Sequence, residues 1–170
     1  MPTLVQHDAC ELLDADHIAT KHLFVEYARL AFAGAGTETK AAGRSTRGAP
    51  ADQRPALARR ICSDLTVHAQ IEEEIFYPAL RDVIELPQLL DQAQAEHQQA
   101  KELIAQIEGL QTGDAAMDDL VSQLARTVEM HVKEERDVLF PKARAAQGLD
   151  LDALGLAMKE RQQELESQAA

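Results

Sequence analysis

The sequence predicts an all-α protein: an antiparallel up-down-up-down four-helix bundle with a short C-terminal fifth helix. Three observations support this fold. Only 8 glycines and 6 prolines occur in 170 residues. Apolar residues recur at the three- and four-residue spacing of amphipathic helices, and turn signals separate these segments. Aromatic residues make up 4% of the chain, so aliphatic side chains must fill most of the core.

The first predicted hairpin joins two long helices. The first helix runs from about Asp8, a suitable N-cap residue, to about Ala33. A long glycine-rich connection follows at residues 34–51. The second helix has Pro55 in its first turn, where proline is tolerated, and Pro78 is expected to kink or end it.

The second predicted hairpin is more compact. Its first helix covers about residues 87–110, and a short turn at residues 112–114 leads into a helix that reaches about Pro141. Gly148 then precedes a fifth amphipathic segment at about residues 150–166, which is expected to cap the bundle or to form a homodimer interface. We therefore predict a bundle domain at residues 1–147 and a helical extension at residues 148–170.

Charge and hydropathy limit the classes of partner. The formal net charge is −12, and an acidic surface repels both phosphate backbones and anionic lipid. No apolar stretch approaches the roughly 20 residues of a membrane-spanning helix, and the N-terminus has no signal-peptide pattern. The sequence therefore predicts a cytoplasmic protein with no nucleic-acid or membrane partner. Cys10 and Cys62 are expected to be free thiols, because helix geometry places them roughly 20 Å apart.

An internal repeat relates the two hairpins. Residues 68–78 read HAQIEEEIFYP and residues 131–141 read HVKEERDVLFP. Each copy has a histidine, a glutamate four residues later and an aromatic–proline pair after that. The repeat extends upstream, where His17 and His97 each follow an acidic residue and precede a lysine by four positions. This pattern indicates two helical hairpins related by a pseudo-two-fold axis.

The spacing of the four histidines predicts that they lie at one level of the bundle. In an antiparallel hairpin, two residues at equal height are equally distant from the turn. The midpoint of His97 and His131 is residue 114, in the short turn, and that of His17 and His68 falls in the glycine-rich connection. The midpoint of His68 and His97 lies between residues 82 and 83, also in a predicted turn.

Histidines and glutamates at one level of a core predict a metal site. Residues four apart share a helix face, so each glutamate of the repeat accompanies its histidine. Six protein ligands exceed what one tetrahedral zinc ion takes, which favours two metal ions bridged by the glutamates. Mixed nitrogen and oxygen ligands suit iron, with manganese or zinc as alternatives. The predicted ligands are His17, His68, Glu72, His97, His131 and Glu135.

Several neighbouring residues have simpler interpretations. His7 and His22 do not fit the site and are expected in a loop and on the surface. Lys21 and Lys101 are expected to extend to solvent. Further residues are expected to be exposed or to be ordinary core aromatics: Asp16, Glu73, Glu74, Glu96 and Glu134 in the first group, Tyr77 and Phe140 in the second.

The motif set resembles the hemerythrin-like (HHE cation-binding) family over roughly residues 8–145. The resemblance implies an oxo- or hydroxo-bridged di-iron centre on the six residues named above, which binds O₂, NO or peroxide. Oxygen-carrying members have a further histidine one turn after the third-helix histidine. Lys101 stands at that position here, which weighs against reversible oxygen carriage.

The leading functional hypothesis is therefore a di-iron protein that binds a small ligand for sensing, scavenging or iron handling. The alternatives are an enzyme with catalase-, peroxidase- or NO-reductase-like turnover and a protein of iron storage or donation. No catalytic side chains outside the metal ligands are predicted. Ferritin-like di-iron bundles use Glu-x-x-His with additional glutamates, whereas this sequence has His-x-x-x-Glu and more histidines than carboxylates.

Overall fold

The computed structural model describes residues 7–38 and 52–169. Every regular element in this part of the chain is helical. Seven α-helices and two π-helical segments follow in the order α1 (Ala9–Glu38), α2 (Arg54–Ile71), π1 (Glu72–Phe76), α3 (Tyr77–Arg81), α4 (Pro87–Glu108), α5 (Ala115–Glu134), π2 (Glu135–Leu139), α6 (Phe140–Ala145) and α7 (Leu151–Ala169). Since α2, π1 and α3 are continuous, as are α5, π2 and α6, the structure contains five long helical units.

Four of these units form the predicted bundle. Helix α1 packs against α2 and α5, and α4 packs against the same two helices, which closes the ring. Helix α7 packs on the outer face of α1 and α2. The all-helical fold with its fifth helix is thus confirmed, and within the described residues α7 covers one side of the bundle. Its proposed role in a homodimer stays a prediction.

Two apolar clusters fill the core at different levels. One contains the start of α1, the end of α2, π1 and the inner face of α7, with Leu13, Ile71 and Met158 fully buried. The other contains the start of α2, the end of α4 and the start of α5. Cys10 belongs to the first cluster and Cys62 to the second, and both are free thiols as predicted.

Helix starts follow the expected capping chemistry. Asp8 accepts a hydrogen bond from the Glu11 backbone N–H at 2.9 Å, which confirms it as a cap of α1. Asp114 and Asp150 cap α5 and α7 in the same way, at 3.1 and 3.0 Å. Gly148 has φ = +82°, a left-handed conformation that glycine adopts without strain, and it turns the chain into α7.

Two predicted helix ends were wrong. Helix α1 continues past Ala33 to Glu38, because isolated glycines among alanines cost only about 1 kcal/mol each. The helix predicted to reach about Pro141 continues to Ala145. Pro78, which was expected to kink or end its helix, does not end it: a π-helical segment precedes it and the helix continues to Arg81. The rest of the glycine-rich connection, residues 39–51, lies outside the described residues.

The π-helical segments explain why the prolines are tolerated. Each segment directly precedes an aromatic–proline pair and starts at a glutamate of the repeat. The Tyr77 N–H donates to the Glu72 carbonyl oxygen and the Phe140 N–H to that of Glu135, which is the i→i+5 pattern. The change in hydrogen bonding comes just before a residue that has no N–H to donate. Among the described residues, no helix is both long enough and apolar enough to cross a bilayer.

Candidate metal centre

Four imidazole rings meet between the two apolar clusters. Nε2 of His17 lies 3.2 Å from Nε2 of His68, and Nε2 of His97 lies 3.0 Å from Nε2 of His131. All four side chains are buried. The structure therefore brings together one histidine from each helix of the bundle, at the level that the turn midpoints predicted.

The two glutamates lie between these histidine pairs. Oε1 of Glu72 is 2.8 Å from Nε2 of His68 and 3.6 Å from Nε2 of His97. Oε1 of Glu135 is 2.8 Å from Nε2 of His131 and 3.4 Å from Nε2 of His17. Each carboxylate thus touches one histidine of each pair, which is the arrangement expected of two bridging ligands.

The donor atoms form two groups, each with a spacing that suits one cation. His17, His68 and Glu135 offer three ligand atoms within 4.8 Å of one another, and Glu72, His97 and His131 offer three more. Each group takes its histidines from one hairpin and its glutamate from the other. Metal binding at this centre would therefore hold the two hairpins together.

The buried carboxylate oxygens of the site lack hydrogen-bond partners, which suits a site that binds metal ions. All four carboxylate oxygens of Glu72 and Glu135 are buried without a hydrogen-bond partner, although imidazole nitrogens lie close to them. The glutamate side chains have no exposed surface. Burying unpaired carboxylates costs several kcal/mol each, and cations bound among them would offset that cost.

Outer carboxylates fix the orientation of two imidazoles. Oδ2 of Asp16 lies 3.2 Å from Nδ1 of His68, and Oε2 of Glu96 lies 2.6 Å from Nδ1 of His131. A carboxylate accepts from an N–H, so Nδ1 carries the proton and the lone pair is left on Nε2, facing the site. The expectation that Asp16 and Glu96 are exposed was therefore wrong: both are partly buried behind the ligands.

Helix α7 reaches this outer layer. The Gln162 side-chain amide is buried and donates to both carboxylate oxygens of Asp16, at 3.3 and 3.2 Å. Asp16 in turn orients His68. The fifth helix is thus connected to the histidine layer through two successive hydrogen bonds, a link that amphipathic periodicity alone does not reveal.

Charges in the site alter the protonation of the metal-free protein. Burial by itself would lower the pKa of His68, but the charge of Glu72 and the hydrogen bond to Asp16 raise that pKa well above its ordinary value. Burial would likewise lower the pKa of His131, but the hydrogen bonds to Glu135 and Glu96 raise that pKa to about 10. Both directions favour protonated imidazoles in the metal-free protein, so metal binding would release protons.

Lys101 is exposed, as predicted, and it also forms an ion pair. Its ammonium group contacts both carboxylate oxygens of Glu73, at 2.8 and 2.9 Å. Glu73 Oε1 also lies 3.8 Å from Nδ1 of His97, so this glutamate is not the fully solvated charge that the sequence suggested. His7 and His22 are exposed, as predicted, and so is Lys21.

The aromatic residues of the repeat are buried, as expected, but they differ in one respect. The Phe140 ring stacks against His17, with centroids 6.0 Å apart. The hydroxyl of Tyr77 instead points at the other histidine pair. Both residues are predicted as core aromatics, and only Tyr77 makes such a polar contact as well.

Comparison with known proteins agrees with this geometry. Residues 8–143 match the family model described as "Hemerythrin HHE cation binding domain". The chain belongs to this hemerythrin HHE family. The match includes all six predicted ligands and ends before α7, which lies outside the family domain.

Two further proteins are similar to this HHE protein. A solved HHE cation binding domain-containing protein from Mycobacterium kansasii shares the fold, with a TM-score of 0.70 and 22% identity over 96% of this chain and 90% of that one. A DNA nickase from Nostoc sp. is 35% identical over 88 residues, which is 50% of this chain. This match spans only 24% of the nickase, about a quarter of its length.

Proposed function

We propose that this HHE protein is a non-haem di-iron protein that binds O₂, NO or peroxide at an open iron position. His17, His68 and Glu135 would hold one iron ion and His97, His131 and Glu72 the other, with the two glutamates bridging. Histidine nitrogens and carboxylate oxygens suit iron, and two adjacent redox-active ions supply the electrons for chemistry with such ligands. Manganese or zinc would fit the same donors.

A small cavity beside the histidine layer is the observation that carries this proposal. Its volume is about 40 Å³, and all four predicted histidine ligands line it. Leu65, Ile104 and Val128 supply apolar walls. On this measure one water needs about 10–15 Å³, so the cavity suits a diatomic molecule or peroxide.

A second feature supports access from outside. A groove of about 500 Å³ runs along α1 and α5, and His17, Val128 and Val132 line both this groove and the cavity. Lys21, Lys133 and Arg136 line it together with Glu129 and Asp137, so both signs of charge are present. We propose that a small ligand reaches the His17 side of the centre through this groove.

Anaerobic reconstitution with Fe(II), followed by exposure to O₂, H₂O₂ or NO, tests the proposal. The expected result is the charge-transfer absorption of a bridged di-iron(III) centre after oxidation, with a further spectral change on ligand addition. Unchanged spectra with iron bound would contradict small-ligand binding. Steady-state consumption of peroxide or NO would show turnover rather than stoichiometric binding, and easy loss of iron to a mild chelator would favour donation.

A further inference from the structure

One phenol hydroxyl contacts the metal centre, and it does so on one side only. Oη of Tyr77 lies 3.3 Å from Nε2 of His97 and 3.2 Å from Nε2 of His131. The side chain is 1% exposed. The equivalent residue of the other repeat is Phe140, which has no polar atom to offer to His17 or His68. The two halves of the centre are therefore chemically different.

The backbone accounts for the direction of this phenol. Tyr77 follows Glu72 by five residues, which in a regular α-helix would place it about 140° around the axis from that glutamate. Segment π1 removes this offset in part, because its i→i+5 hydrogen bond stacks the Tyr77 N–H over the Glu72 carbonyl. Tyr77 and Glu72 thus face the same histidine pair.

The distances match those between ligands of a single metal ion. Ligand atoms that each lie about 2.0–2.2 Å from one ion are roughly 3 Å apart. Nε2 of His97 and Nε2 of His131 are 3.0 Å apart, and Oη of Tyr77 completes a triangle with sides of 3.3 and 3.2 Å. The hydroxyl therefore lies where a further ligand atom of that ion, in addition to the histidines and Glu72, is expected.

Metal binding at the two imidazoles would leave the hydroxyl without its present hydrogen-bond partners. In the metal-free protein the hydroxyl can donate to one Nε2 and accept from the other. An ion bound to both Nε2 atoms would remove these partners, since Glu96 holds the proton of His131 on Nδ1. The charge balance also favours an anionic phenolate ligand, because two carboxylates offset only half of the +4 charge of two divalent cations.

We propose that Tyr77 is a phenolate ligand of the metal ion held by His97, His131 and Glu72, while the ion held by His17, His68 and Glu135 has none. This inference rests on the proposed iron centre. As the oxygen–metal bond forms, the phenol O–H bond breaks and its proton leaves to solvent. Neither the iron nor the tyrosine changes oxidation state in this step.

The chain provides a matched control, because it has only two tyrosines. Tyr27 lies in the other apolar cluster, where its hydroxyl donates to Asp118 at 2.8 Å. The full-length wild type, Tyr77→Phe and Tyr27→Phe would each be loaded with iron, oxidised in air and assayed for iron content. We expect a phenolate-to-iron(III) charge-transfer band in the wild type and Tyr27→Phe, and its loss in Tyr77→Phe with iron retained.

Resonance Raman spectroscopy of Tyr27→Phe keeps the test decisive even if Tyr77→Phe does not fold. Tyr77 is the only tyrosine left in that variant, so enhanced tyrosinate ring vibrations would come from it. Iron bound without these vibrations would overturn the assignment of Tyr77 while leaving the di-iron proposal intact. A band that survives in Tyr77→Phe would also overturn it. Failure of the wild type to bind iron would overturn both proposals.

Discussion

Nδ1 of His131 lies 2.6 Å from Oε2 of Glu96, a residue that precedes another histidine of the site by one position. The same relationship recurs between His68 and Asp16 at 3.2 Å. In each hairpin, the acidic residue before one histidine thus orients the histidine of the neighbouring helix. The pseudo-two-fold symmetry therefore extends beyond the predicted ligands to the carboxylates behind them.

Removing one of these outer carboxylates should weaken metal binding. In Glu96→Ala, His131 loses the acceptor that holds its proton on Nδ1, and loss of such a partner typically lowers metal affinity about 10–100-fold. Competition with a chromophoric chelator measures this change. Glu102→Ala, at an exposed position of the same helix, is the control and should bind as the wild type does. Equal affinities in both variants would contradict an orienting role for Glu96.

Filling the small cavity should block the exogenous ligand while leaving the metals in place. Ala100 lines the cavity, so Ala100→Leu would occupy much of its volume of about 40 Å³. Azide or NO titration of the iron-loaded protein, followed by absorption, should show a clear loss of affinity with unchanged iron content. Ala95→Leu, on the exposed face of α4, should behave like the wild type. Unchanged ligand affinity in Ala100→Leu would place ligand binding elsewhere.

The docking of α7 depends on a glycine. A Cβ atom at Gly155 would lie 2.5 Å from the His7 carbonyl oxygen and 3.0 Å from the Ala9 nitrogen, both backbone atoms. Gly155→Ala must therefore shift α7, and overpacking of this kind costs about 1–3 kcal/mol in the free energy of unfolding. Urea denaturation measures this change in the free energy of unfolding. At Gly109 the nearest atoms are 3.4 and 3.6 Å away, so Gly109→Ala should not destabilise the protein.

Stability should fall in alkaline solution because of the two thiols. Burial raises the pKa of Cys10 and of Cys62 to about 12 in the folded protein. In the unfolded chain thiols ionise near pH 8.5. Above that pH only the unfolded chain releases these protons, so the thiol contribution to stability is complete below about pH 8.5 and declines as the pH rises towards 12.

Melting temperatures between pH 7 and 10 test this dependence against a Cys10→Ala/Cys62→Ala double variant. The variant shares every lysine and tyrosine with the wild type but has no thiol to ionise. Its melting temperature should therefore fall less over the same pH range. Identical slopes would show that the buried thiols do not contribute.

The fold and the convergence of the candidate ligands could be predicted because they depend on helix periodicity and on equal distances from turns. His17, His68, His97 and His131 meet where the turn midpoints placed them. The partial burial of Asp16 and Glu96 could not be predicted, because each is turned about 100° from its neighbouring histidine on its own helix. Only the packing of the adjacent helix brings a second imidazole to that carboxylate.

The polar role of Tyr77 was missed for a different reason. Regular α-helical geometry does not predict the direction of the Tyr77 side chain, because residues 72–76 form a π-helical segment. The position of Pro78 two residues after this segment was a usable signal, since the helix must accommodate a residue without an N–H. The predicted end of α1 was wrong because isolated glycines within an alanine-rich segment do not end the helix.

An anaerobic Fe(II) titration of the metal-free protein, with elemental analysis of the tightly bound fraction, tests most directly whether six side chains hold two metal ions. We expect two iron ions per chain in the wild type. A single bound ion, or none, would contradict the di-metal centre that the paired histidines and unpartnered glutamates indicate.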